Sequence, residues 1–300
     1  MGKSHAELEG TQIVEKKQPR SLLNEAIRQV LRNRLALISL VVILIQIFMA
    51  IFAPWIVAHD PLAQNLSATY LSPGSDGHWL GTDQYGRDVW SRMAHGARIS
   101  LFVGISATAL GLIGGTILGL TAGYFRRLDG IIMRILDLMF AFPNILLALL
   151  IVAILGPSIV NTIIALSIWA IPSIARILRS RVLTVKKQEF ITAQRSIGAS
   201  YPRILFKHIL PNCTAPLIVV GAMEIGTAIL ATAALGYLGL GAQPPAPEWG
   251  AMVSEGQEYM FNAPHLVLIP GIVIMISVFA FNLFGDALRD ALDPKTDINK

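Results

Sequence analysis

Six predominantly apolar stretches, separated by polar connections, run along the chain at residues 35–57, 99–124, 131–155, 159–180, 214–242 and 265–285. At about 1.5 Å of rise per residue, each can cross roughly 30 Å of hydrocarbon as a helix. The pattern predicts an all-α, polytopic membrane protein with six transmembrane helices over residues 35–285. The connections divide into an N-terminal segment 1–34, an outer loop 58–98, a long inner loop 181–213 and a tail 286–300. Pro143, Pro172 and Pro270 fall inside these stretches. Each removes a backbone donor and is expected to kink its helix, which a bundle tolerates where neighbours satisfy the freed groups. The first stretch follows a polar, basic segment without a small-residue cleavage site, so it is expected to remain as an uncleaved span.

Composition agrees with the pattern. Of the 300 residues 54% are hydrophobic and 14% charged, against about 25% charged in a soluble domain. The mean hydropathy is +0.59, and a soluble globular protein is excluded. One cysteine, Cys213, allows no intramolecular disulfide.

The net charge of +5 would raise nucleic acid as a partner for a soluble protein. In a membrane protein surrounded by lipid it reports orientation instead, and no nucleic-acid partner is expected. All but three of the 24 Lys and Arg fall on one side of the six spans, leaving Arg87, Arg92 and Arg98 on the other. Basic residues gather on the cytoplasmic side. A multi-pass membrane protein is therefore expected, with both termini cytoplasmic.

Few motifs of catalytic or metal chemistry occur in the sequence. There is no GxxxxGK[ST] phosphate loop, HExxH, GxSxG or paired-cysteine spacing. His5, His59, His78, His95, His208 and His265 are scattered without a second ligand one helical turn away. No catalytic residue, metal or cofactor is expected in this chain, and it is not expected to be an enzyme. Within the spans, Arg134 and Asp137 lie one turn apart and are expected to pair with each other. Glu224 lies deep in the fifth stretch beside Gly221, Ala222 and Gly226. It either lines a polar path or hydrogen-bonds a neighbouring helix. Gly111, Gly115, Gly119 and Gly123 form a column on one helix face, preceded by Ala107. Such a face admits a second helix closely, either within the chain or from another subunit.

The inner loop is long for a bundle, where two to eight residues are usual. Its centre, EFITAQRSIGASYPRILFKHILPN over 189–212, predicts a short helix stopped at Gly198, then a turn through Ser200 and Pro202. A second helix carrying Ile204, Leu205 and Ile209 is expected to end before Pro211. The shape suits docking onto a cytosolic partner. The alternative is an interfacial amphipathic helix held on anionic lipid by Lys186, Lys187, Arg203 and Lys207.

Thr192-Ala193-Gln194, then Gly198, then Leu210-Pro211, resembles the EAA loop of ATP-binding-cassette importer permeases, E-A-A-x3-G-x9-I-x-L-P. Thr192, Gln194 and His208 depart from that pattern. LGTDQYGRDVWSRMAHGARISL at 80–101, LGYLGLGAQPPAPEWGAMV at 235–253 and AFNLFGDALRDALDPK at 280–295 are similar to the second permease subunit of dipeptide and oligopeptide importers. The resemblance covers roughly residues 20–298. It implies a type I importer fold and a complex of two related permease subunits, two cytosolic ATPase subunits that bind ATP and Mg, and an extracytoplasmic substrate-binding protein. Thr192, Ala193, Gln194, Arg195, Ser196, Gly198, Leu210 and Pro211 would then belong to the ATPase-coupling loop.

Further expectations follow from the resemblance. Transport would proceed by alternating access, with dipeptides, oligopeptides, glutathione or nickel chelates as substrates. In the outer loop Asp83, Arg87, Asp88 and Arg92 would either form exposed ion pairs that shape the loop or contact the binding protein. Trp249 would be an interfacial anchor near the outer boundary. The rival reading is a stand-alone secondary transporter or channel for a small polar solute. A single intramembrane glutamate and no visible internal repeat disfavour it. A membrane enzyme is weaker still.

Overall fold

The computed structural model describes residues 29–292 except Asp76. The expected N-terminal segment, over 1–28, and the end of the tail, over 293–300, lie outside the described residues. Among the described residues the chain is helical, and extended pairing is limited to the isolated bridges Ser75–His78 and Thr82–Asp88 in the outer loop.

Helix α1 (Arg34–Ile56) starts where the Asn33 side chain accepts the Leu35 N–H at 3.0 Å. Helix α2 (Val89–Tyr124) has 36 residues and begins well before residue 99, where the apolar stretch starts. The outer loop is correspondingly shorter than 58–98. Hydropathy marks only bilayer depth, whereas the helix start is set by Asp88, whose Oδ2 accepts the Ser91 N–H at 2.7 Å.

The third stretch, expected as one kinked span, is two helices. These are α3 (Arg126–Phe140) and α4 (Asn144–Leu155), set at 88° across a break at Ala141, Phe142 and Pro143. Pro143 has no N–H to give and disfavours helical backbone at Phe142, so the helix stops instead of bending. Helix α5 (Ile159–Val185) keeps Pro172 inside it, capped by the Ser158 side chain, and runs past residue 180 into the inner layer.

After α6 (Glu189–Ser196) the chain turns and enters a continuous helical run. It consists of an α-turn at Tyr201–Arg203, a π-turn at Ile204–Ile209, a 3-10 turn at Leu210–Cys213 and then α7 (Thr214–Tyr237). The expected stop before Pro211 does not occur. In the π-turn the Leu210 N–H reaches the carbonyl of Leu205, and this wider register lets Pro211 open the 3-10 turn, where its missing donor is not needed. Helix α7 ends at Tyr237, short of the expected 242, because Gly239 turns the chain at φ +75°. Helix α8 (Trp249–Gly256) lies in the outer layer. Helix α9 (His265–Leu292) continues beyond residue 285, since Asp286 and Arg289 end the apolar stretch but not the helix.

Five helices are long and apolar enough to cross a membrane, and the bent pair α3–α4 makes a sixth candidate span. The glycine column of α2 packs within the chain, on α5. A Cβ on Gly111, Gly115, Gly119 or Gly123 would fall 2.7–2.8 Å from an atom of Ala170, Ile174, Ala175 or Val182 respectively. Of the two readings of the column, the intrachain one describes this geometry. In the outer half Ile43, Met93, Leu101, Ile229 and Phe281 join α1, α2, α7 and α9 in one core. Helix α1 also exposes Leu35, Ile38, Leu44, Ile45 and Phe48, the surface of a helix facing lipid or another subunit.

Candidate functional site

At the inner end, α5 leads through Lys186 into α6, whose single buried side chain is Ile191. Ile191 packs with Leu120, Tyr124, Leu178, Val182, Ile204 and Ile209, so the inner loop is built onto the ends of α2 and α5. Gly198 has φ +77° and its N–H donates to the Arg195 carbonyl at 3.0 Å; the Ala199 N–H donates to Gln194 at 3.0 Å. A Cβ at Gly198 would touch nothing within 4 Å. Backbone conformation, not space, requires glycine here.

Thr192, Ala193, Arg195, Ser196, Gly198 and Pro211 are exposed, while Gln194 and Leu210 are half-buried. Beside them Ile197 is 76% exposed and Phe206 64% exposed. Apolar side chains offered beside an ordered turn suit a protein groove.

The Arg195 guanidinium lies 5.4 Å from the ring centre of Tyr124, and Lys186 donates to the Tyr124 carbonyl. Burial, then the charge of Arg195, holds the Lys186 ammonium below its ordinary pKa, with Asp129 pulling the other way. Arg179 grips Asp129 on α3 with two bonds of 2.5 and 2.7 Å. Asp137 pairs with Arg176 of α5 at 2.5 Å and not with Arg134. The expected pairing along one helix gives way to a bond between helices, which a guanidinium stacked on Phe140 at 4.1 Å favours.

Within the membrane Glu224 is half-buried on α7, and among the described residues no protein group hydrogen-bonds to it. Gln46 of α1 donates to Ser277 of α9 at 2.9 Å, a buried polar link that the sequence did not reveal.

The outer layer differs most from expectation. Asp83, Arg87, Asp88 and Arg92 are not exposed pairs: all four are buried. Arg87 binds Asp83 at 2.6 Å and Glu255 at 2.7 Å, while Arg92 reaches the same carboxylates at 3.5 and 3.1 Å. These two cations and two anions lock the loop onto α2 and α8.

Trp249 is likewise not a membrane anchor. It is 1% exposed, donates to the Met93 carbonyl at 3.1 Å and rests on Gly96, where a Cβ would lie 2.7 Å from its ring. Glu248 beside it caps α8, accepting from Gly250 at 3.0 Å, Ala251 at 2.9 Å and the Ser100 hydroxyl at 3.2 Å. Burial pushes the Glu248 carboxyl above its usual range, against those donors, which pull it down. Glu248 and Glu255 were not legible as site residues because their partners come from other parts of the chain. The same loop gathers His59, His78 and Asp88, which sequence spacing does not suggest.

The arrangement is a helical frame with an ordered inner turn and a cross-braced outer layer. The family described as binding-protein-dependent transport system inner membrane component matches residues 111–298, and the N-terminal TM domain of oligopeptide transport permease C matches residues 21–73. The dipeptide transport system permease protein DppC of Alkalihalophilus pseudofirmus is 50% identical over 90% of this chain and 89% of the relative. The di/tripeptide permease DppC of Pseudomonas aeruginosa is 46% identical over 92% and 93%. The glutathione transport system permease protein GsiD of Pectobacterium atrosepticum is 44% identical over 94% of each. In fold, the chain is similar to one from the inward-facing MetNI methionine ABC transporter, with a TM-score of 0.57 and 20% identity. That match covers 68% of this chain and 97% of the other. Helix order, inner turn and sequence together place one conclusion on the whole length: this chain belongs to the binding-protein-dependent inner-membrane permeases of ABC importers, in their dipeptide and oligopeptide branch.

Proposed function

We propose that the chain forms half of the translocation pathway of an ATP-driven importer for dipeptides, oligopeptides or related small peptides such as glutathione. Its partners are a second, related permease subunit, two cytosolic ATPase subunits that carry ATP and Mg, and an extracytoplasmic substrate-binding protein. Both termini lie in the cytoplasm. The observation that carries this reading is the inner turn at Gly198, exposed on its outer side and packed through Ile191 onto the helices that cross the membrane. Movement imposed on α6 by a cytosolic partner is thereby passed to α2 and α5. ATP-dependent uptake by the reconstituted complex with its binding protein, against a peptide panel, tests the assignment. Uptake driven by a proton gradient through this chain alone would overturn it.

Gly198→Val tests the turn. A β-branched residue at φ +77° strains the backbone by about 1–2 kcal/mol, worth a factor of roughly 5–30 in the population of the docked form. Substrate-stimulated ATPase activity and uptake are expected to fall together by that factor. Wild-type values for both would count against coupling through this turn.

Glu224 is proposed as a residue of the pathway. Glu224→Gln keeps size and hydrogen bonding while removing charge. Uptake per assembled complex is expected to fall several-fold with assembly unchanged. Normal uptake across the panel would retire Glu224 as a functional charge.

A further inference from the structure

Three separated positions of the outer segment converge on one point. His59 follows the end of α1, His78 lies in the middle of the loop, and Asp88 caps α2. The imidazoles stack with centroids 4.6 Å apart at 29°. His78 Nδ1 stands 2.8 Å from Asp88 Oδ1, and one ligand atom from each of the three residues lies within 4.8 Å of the others. Oδ2 of Asp88 is already held by the Ser91 N–H, which fixes the carboxylate with Oδ1 turned to the imidazoles.

Asp88 anchors the cluster. Its side chain is 2% exposed, and among the described residues His78 is its only ion-pair partner. A buried carboxylate is ordinarily paired with a full charge or bound to a metal. His59 is exposed, so the cluster opens on one side. A cavity of about 70 Å³ adjoins it, lined in part by His59, Asp88 and Trp90. That is room for an ion and one or two waters, each filling about 30 Å³ in the liquid. The indole N–H of Trp90 is buried without a protein acceptor and so calls for a solvent or ligand partner.

We propose that His59, His78 and Asp88 form a site for a borderline divalent transition-metal ion of zinc's class, tying the end of α1 to the start of α2. Two imidazoles and a carboxylate suit such ions, whereas calcium and magnesium take oxygen ligands. Three protein ligands with one open position match the sites in which zinc keeps a solvent ligand. Tetrahedral bonds of about 2.0–2.1 Å put ligand atoms about 3.3–3.4 Å apart, so on binding the 2.8 Å hydrogen bond between His78 and Asp88 is given up as the pair opens by about 0.5 Å, and His59 swings inward. As the exposed member it is free to do so.

The test uses the assembled transporter without a polyhistidine tag, stripped by chelator and titrated with zinc chloride. The wild type is expected to bind one zinc per copy of this chain, lost or weakened more than about tenfold in His59→Ala. The same is expected in Asp88→Asn, which keeps a side chain able to cap α2. His208→Ala, on the inner segment, should bind like the wild type. X-ray absorption should show two imidazole nitrogens on the ion, and zinc should raise the melting temperature of the wild type but not of His59→Ala. No zinc bound by the wild type, equal binding by His59→Ala, or a spectrum without imidazole would each overturn the site.

Discussion

Arg92→Met is expected to destabilise the outer layer by about 3–5 kcal/mol, the cost of removing one partner from a buried ion pair. Arg92 is 1% exposed, with Nη2 3.1 Å from Glu255 and Nε 3.5 Å from Asp83. Arg87 holds the same two carboxylates at 2.6 and 2.7 Å. The cluster is therefore balanced, two cations against two anions, and none of the four can be hydrated fully where it sits. Without Arg92 the buried Asp83 and the partly exposed Glu255 share one guanidinium.

A double variant separates charge imbalance from lost packing. Arg92→Met with Glu255→Leu restores neutrality around Arg87 and Asp83, so its melting temperature should lie well above the sum of the two single effects. The readout is thermal unfolding of the purified transporter, ranked by melting temperature, because a multisubunit membrane complex does not unfold in two states. A single variant that melts with the wild type, or a double variant whose loss equals the sum, would sink the account of a coupled buried cluster.

That cluster also marks the limit of what sequence conveys. Asp83 and Arg87 stand one helical turn apart and are legible as a pair, but Glu255 is 168 positions from Arg87. Nothing local announces that Glu255 on α8 closes the cluster, nor that the Asp83, Arg87 and Arg92 side chains are buried. Charge alone suggests exposure, and the opposite holds because each charge is matched inside the layer. Trp249 misleads for the same reason: an indole near the membrane boundary has the chemistry of an interfacial anchor, yet Gly96 leaves room for it in the core.

The six stretches were visible because hydropathy reads bilayer depth. Their ends were less so, because caps and not apolarity set them; Asp88 starts α2 and Gly239 stops α7. Pro143 and Pro172 are the same residue with different outcomes. Pro143 breaks a span, whereas Pro172 lies within a buried stretch of α5 that packs on α2 and continues as one helix. Gly198 was legible because a short helix followed by glycine specifies its own stop. The ligand cluster at His59 was not, since three distant positions meet only after the loop folds.

Gly119→Leu is expected to separate α2 from α5 and to lose the inner turn with it. A Cβ on Gly119 would stand 2.7 Å from the carbonyl oxygen of Ala175, 2.9 Å from Leu178 Cβ and 3.2 Å from Ala175 Cα. Two of these atoms are backbone, so no rotamer change relieves the clash, and a leucine adds further atoms beyond the Cβ. Overpacking alone costs about 1–3 kcal/mol where the surroundings can shift. Here the helices themselves must move, and in lipid their contact is held by close packing without a hydrophobic effect.

Two other glycines calibrate the result. Gly114→Ala would press on the end of the Ile171 side chain, which can rotate, and Gly130→Ala meets nothing within 4 Å. The expected order of melting temperatures is Gly119→Leu lowest, Gly114→Ala intermediate and Gly130→Ala equal to the wild type or slightly above, since alanine favours helix. Leu178 and Val182 lie on the same face of α5 and pack with Ile191 of α6. Displacing α5 therefore moves the inner turn, and if the proposed coupling runs through it Gly119→Leu should lose substrate-stimulated ATPase activity in whatever complex still assembles. Retained assembly, melting temperature and stimulation in Gly119→Leu would mean that the glycine column does not set the spacing between these helices.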